Sequence, residues 1–409
     1  MSGKGRGHQA DRDEPRAEGT PFPGEILEPV EGGASATAEA PATAPSPLPD
    51  ALPASAPARP SLVIQTSFLG DMVLTTPLIA ELAKRGPVDV VATPASAPLL
   101  ANNPSVRDVI LYDKRGDAKG MTGLYRTAQA LRRRQEGTEE RDREAAAAYL
   151  AQGSVRSATL ALLAGIPERV GFGTSAGRRL YTRRVPYRED RHHAERLWRL
   201  AMPPDVPDPD ASAIRPRLFP ADAEMVAVEA LLADAGVARG EPLLALAPGS
   251  IWGTKRWPYY AGLAARLAGR DPGLRLVVIG GRPDAALARE IADAVPAGRV
   301  IDATGRLSLL ASAELIGRTL ALVTNDSAPQ HLASAMGTPT VAVFGPTVPG
   351  FGFGPLAPRR ATVGHAALAC RPCHRHGPRA CPLGHWRCMR EIEAPVLEES
   401  VDELLHPRG

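Results

Sequence analysis

From Leu62 onward the chain alternates short apolar runs with amphipathic stretches. Leu62, Val63 and Ile64 read as a short buried strand, and the turn Ser67-Phe68-Leu69-Gly70 follows. Asp71 then opens a helical pattern with Met72, Val73, Leu78, Ile79 and Leu82 apolar. Strands are expected at 88–92 and 109–112. After a Pro- and Asp-rich linker at 203–215, the alternation becomes strict. Helices are predicted near 221–235, 259–268, 284–294, 309–318 and 327–336. Strands are predicted at 243–247, 274–279, near 300, and at 320–324 and 340–344. Strand-helix alternation with short turns predicts an α/β protein of two doubly wound domains, 61–215 and 216–409, with a cleft between them. Sequence comparison of the halves shows no repeat.

Composition adds boundaries. The 409 residues suffice for two cores, and 44% of them are hydrophobic. Residues 1–60 are rich in Pro, Ala, Gly, Glu and Ser and read as a disordered tail. A net charge of +3 gives no reason to expect nucleic acid. Two cationic runs stand out: Arg132-Arg133-Arg134, and Arg178, Arg179, Arg183 and Arg184 around Tyr181. Each is either a solvated face or a surface for phosphates or an anionic membrane. The polar start lacks a signal-peptide core, and no window approaches the ~20 apolar residues of a membrane span. The expected location is the cytoplasm, where four cysteines would stay reduced.

Four segments carry candidate chemistry. In Thr324–Thr347, a strand ends at Thr324, Asn325 and Asp326 sit in the turn, Ser327 starts a helix, and Pro329 sits in its first turn. Free N–H groups at that helix start can hold a diphosphate, and His331 shares a face with Ser327. Taken singly, these residues also fit ordinary capping. In Ala247–Pro258, Pro248-Gly249-Ser250 ends a strand and Lys255 offers a point charge for phosphate, or is a solvated loop lysine. Gly249 would let backbone approach a ligand closely. Asp71 could accept a proton from a hydroxyl, or simply complement its helix dipole. Cys370, Cys373, Cys381 and Cys388, with His374, His376 and His385 between them, suggest a structural zinc, a thiol-rich loop or a redox role.

Together these segments resemble glycosyltransferase family 9, the ADP-heptose:lipopolysaccharide heptosyltransferases, the type II enzymes above all. The run N-D-S-x-P-x-H-L-A-x-A-x-G-T-P followed by F-G-P-T carries the resemblance, with the Lys255 loop, the Gly70-Asp71 turn and the cysteine tail. It implies GT-B architecture, two facing Rossmann-like domains, with acceptor bound by the first and nucleotide sugar by the second. Asp71 would be the general base. Gly249, Ser250, Lys255, Asp326, Ser327, Ala328 and His331 would hold the donor. Gly70, Gln152 and Arg156 would line the acceptor side. Ala328 and Gln330 stand where the family usually has Gly and Met, and Ala151 stands where an acidic residue commonly precedes the Gln. The implied partners are ADP-heptose, the lipopolysaccharide inner core and peripherally an anionic inner membrane, with no obligatory cofactor. A non-catalytic nucleotide-sugar-binding protein, a family member with another donor or acceptor, and a same-fold epimerase are the alternatives.

Overall fold

The computed structural model describes residues 59–136, 139–140, 143 and 146–406. The expected disordered tail lies outside them, Arg59 and Pro60 excepted. The strands form two six-stranded sheets, parallel throughout. The first holds β1 (Ser61–Gln65), β2 (Val88–Ala92), β3 (Asp108–Leu111), β4 (Ala147–Leu150), β5 (Glu168–Phe172) and β6 (Arg183–Val185), in the order β3-β2-β1-β4-β5-β6. The second holds β7 (Leu243–Ala247), β8 (Arg275–Val278), β9 (Val300–Asp302), β10 (Leu322–Asn325), β11 (Thr340–Phe344) and β12 (Arg360–Gly364), in the order β9-β8-β7-β10-β11-β12. Both therefore wind as 3-2-1-4-5-6, although their sequences share no repeat. In this order the chain reverses direction beside the first strand of each half, and ligands bind at the carboxyl ends there.

Central strands are buried at every position in β1, β2, β7 and β11, as expected when helices cover both faces. The helices that matter to the cleft are α1 (Leu69–Ala83), α2 (Gly120–Glu136), α3 (Val155–Leu163) and α4 (His193–Arg199) in the first half. In the second they are α5 (Asp222–Asp234), α6 (Tyr260–Arg270), α7 (Ala285–Asp293), α8 (Leu309–Gly317) and α9 (Ala328–Met336). Helix α1 tolerates Pro77 in its interior because the Thr76 hydroxyl donates to the Val73 carbonyl at 2.8 Å, the acceptor that a proline cannot serve. It packs on α4 and, across the domain boundary, on α9. One apolar cluster accordingly continues from Val73, Leu78 and Leu197 to Leu310, Leu315 and Leu332.

Candidate active site

The carboxyl ends of β1, β7 and β10 open on a cleft of about 850 Å³ between the domains. Asp71, Lys255 and Ser327 all line it, with Gly70, Gly249, Ser250, Asp326, Ala328 and His331.

Asp71 is the third residue of α1. Its Oδ2 accepts the Phe68 backbone N–H at 3.3 Å, while Oδ1 faces His193 Nε2 at 4.0 Å. One carboxylate thus caps its helix with one oxygen and presents the other toward the cleft.

Lys255 and Asp326 are both buried and meet at 2.5 Å. Asp326 Oδ2 also accepts from the Thr347 hydroxyl at 2.7 Å, and Oδ1 from Gln330 Nε2 at 2.9 Å. Both of its oxygens are therefore taken by protein donors. Asp326 holds the lysine rather than a phosphate, which its charge would repel. The Lys255 ammonium has three donors, and among the described residues one of them meets Asp326. Asn325 joins the two strand-end turns: it donates to the Pro248 carbonyl at 2.8 Å and accepts the Trp257 N–H at 3.0 Å. Ser327 is the extended N-cap of α9, with Pro329 inside the first turn as expected.

Several residues differ from expectation. A Cβ at Gly249 would lie 2.5 Å from the Asp284 carboxyl group, so the missing side chain makes room for that residue at the cleft wall. His331 is buried against Gly70, and burial first, then His192, push it down to about 4. It is a neutral ring at neutral pH and supplies no charge to a phosphate. Gln152 and Arg156 do not line the cleft. Gln152 Oε1 accepts from Thr66, Ser154 and Ser157 hydroxyls, and Arg156 bonds the Tyr112 hydroxyl and the Ala118 and Gly120 carbonyls. Both fasten loops of the first domain.

The cysteine segment buttresses the donor side. Arg371 donates to the Phe344 and Thr347 carbonyls at 2.9 and 3.0 Å, and Trp386 Nε1 to the Thr254 carbonyl at 2.8 Å. Among the described residues no three His, Cys, Asp or Glu side chains form a metal-binding group. Burial pushes the Cys388 thiol up to about 11 and raises Cys373, whereas at Cys381 burial is outweighed by backbone N–H groups, Trp386 first, and the thiol is lowered. Sequence reasoning missed Phe351, Phe353 and Arg375, which line the cleft, and His193, which faces Asp71. Each comes from a loop or helix end distant in sequence.

Two facing doubly wound domains with one cleft at both switch points define a GT-B architecture. The chain belongs to glycosyltransferase family 9 (heptosyltransferase), whose pattern matches residues 138–385. It is 30% identical over 301 residues to lipooligosaccharide heptosyltransferase 2 of Haemophilus influenzae, covering 70% of this chain and 84% of that protein. It is 31% identical over 324 residues to lipopolysaccharide heptosyltransferase 1 of Pseudomonas aeruginosa, covering 76% and 85%. The E. coli structure of ADP-heptose LPS heptosyltransferase II superposes with a TM-score of 0.67 at 25% identity, over 84% of this chain and 98% of that one. A family 9 enzyme of Veillonella parvula superposes with a TM-score of 0.72 at 22% identity, over 85% and 97%.

Proposed function

We propose that the chain transfers heptose from ADP-heptose to the inner core of lipopolysaccharide by a single inverting displacement. The observation that carries this is the opposition, across one cleft, of the Asp71 carboxylate and the Lys255 ammonium beside the start of α9. Asp71 takes the proton of an acceptor hydroxyl as that oxygen bonds to the anomeric carbon. The bond from that carbon to the diphosphate oxygen breaks, and ADP leaves with the electron pair. Lys255 and the positive end of the α9 dipole stabilise the charge that develops. Asp326 aims the lysine. The heptose and the lipopolysaccharide come from the relatives' activities, and the wholly protein-borne positive field fits a reaction without an obligatory cofactor.

Such an acceptor is anchored in an anionic membrane, so we place the enzyme peripherally on the cytoplasmic face. No helix among the described residues is long and apolar enough to cross a membrane. Met121 and Tyr125, one turn apart on α2, are 70% and 55% exposed, and the next residue, Arg126, is exposed beside them. Apolar and cationic groups together suit an anionic lipid surface. Arg134 is paired with Asp108 instead.

Titration calorimetry against ADP-heptose, UDP-sugars and GDP-sugars tests the donor. ADP-heptose should bind at least about tenfold more tightly, a difference of about 1.4 kcal/mol. Equal or tighter binding of a UDP- or GDP-sugar contradicts the assignment.

A further inference from the structure

His193 is the first residue of α4, and the proposed reaction leaves it without a role. Its backbone N–H donates to the Gly352 carbonyl of the second domain at 2.7 Å. His192 Nε2 lies 2.9 Å from the Gly354 carbonyl, and Arg196 donates to the Phe351 carbonyl at 3.1 Å. The start of α4 is thus fastened at three points to loop 349–354 of the facing domain. That loop contributes Phe351 and Phe353 to the cleft wall. The imidazole of His193 lies on the Phe353 ring, with centroids 4.8 Å apart. On its other side, Nε2 faces Asp71 Oδ1 at 4.0 Å. Nδ1 is buried and has no hydrogen-bond partner among the described residues.

A neutral imidazole carries one N–H. On Nδ1 the proton would be a buried, unpaired donor, and a lone pair would face the carboxylate. On Nε2 it points at Asp71. Burial, then the Arg196 guanidinium, push His193 down to about 3. The ring therefore stays neutral at neutral pH and is not itself a base for the acceptor.

We propose that His193 is a positioning residue: its Nε2–H orients the Asp71 carboxylate for proton abstraction, and its ring and backbone tie that orientation to the donor-side loop 349–354. The 4.0 Å separation is about an ångström too long for a hydrogen bond, and such contacts commonly tighten when substrate is bound. Donor contact with Phe351 and Phe353 would shift the loop to which His193 is fastened. This inference rests on Asp71 being the base.

The test uses the full-length chain, ADP-heptose and a lipopolysaccharide inner-core acceptor. His193→Phe keeps a ring on Phe353 but removes the donor. His193→Gln returns an N–H at the reach of Nε2. His193→Phe should lower kcat at least about tenfold, with KM for ADP-heptose within about twofold, because one aligned interaction of the base is lost. His193→Gln should recover most of the rate, and His193→Phe should add little in an Asp71→Asn background. If the Phe variant does not fold, His193→Asn, too short to reach Asp71, takes its place. Wild-type kcat in the Phe or Asn variant overturns the proposal, as does a Gln variant no better than Phe. If Asp71→Asn is inactive while His193→Phe is normal, the His193 proposal alone fails. If Asp71→Asn turns over normally, the base assignment fails with it.

Discussion

Lys255 and Asp326 lie 71 positions apart and share one buried contact at the floor of the cleft. Removing the carboxylate strands a buried ammonium, which costs about 3–5 kcal/mol, whereas replacing both charges by apolar groups of similar size is often close to neutral. Asp326→Ala should therefore destabilise the protein by about 3 kcal/mol. The pair Lys255→Met with Asp326→Leu should recover most of that stability yet bind ADP-heptose weakly. Denaturant unfolding and calorimetry separate the two effects, and a stable double variant with wild-type donor affinity would refute the phosphate role of Lys255. The motif made Asp326 legible as a site residue, but not its job. Hydrogen-bond partners such as Thr347 and Gln330 are set by how β10, β11 and α9 pack, which periodicity does not encode. The Asp284 carboxyl group beside Gly249 was unforeseen for the same reason, since it reaches that glycine from the next turn of the sheet.

At the scale of elements, the starts of α1 and α9 meet across the domain boundary. A Cβ at Gly70 would come within 2.7 Å of the His331 ring, so this contact requires glycine. His331 sits there with an ionisation pushed from 6.5 down to about 4. The sign follows: above pH 6.5 folded and unfolded forms are both neutral, and the folding advantage is intact. As pH falls toward 4 the unfolded chain takes up a proton that the folded one refuses, so stability is lost, about 1.4 kcal/mol per pH unit while the gap persists. Unfolding free energy should therefore fall from pH 6.5 to 4, and His331→Gln should lessen that slope by about one proton's worth, the remainder coming from His192 and His193, which burial also pushes down. An unchanged slope would contradict the burial account. The contact was invisible in sequence, whereas most elements were legible. β1, β7 and β11 announced themselves as apolar runs because both faces are covered. Their neighbours were harder to read. β4 is the Ala-rich stretch Ala147–Leu150, and the edge strands β6 and β12 begin with Arg. Edges shed one partner and with it the apolar signal.

For the whole molecule, the two halves share one strand order without a sequence repeat, and each brings its switch point to the same cleft. The alternation of elements and the linker at 203–215 sufficed to foresee two doubly wound domains, because parallel sheets need helical crossovers. They could not foresee how α4 and loop 349–354 join across the cleft, which depends on docking rather than on local pattern. On the proposed mechanism a base on one domain acts on a donor held by the other. Asp71→Asn keeps an oxygen to cap Phe68 and removes the base, so the direct measurement is heptosyl transfer by this variant from ADP-heptose to an inner-core acceptor. Turnover should fall at least about a hundredfold, with donor affinity within a few-fold of wild type. Turnover close to wild type would contradict the account.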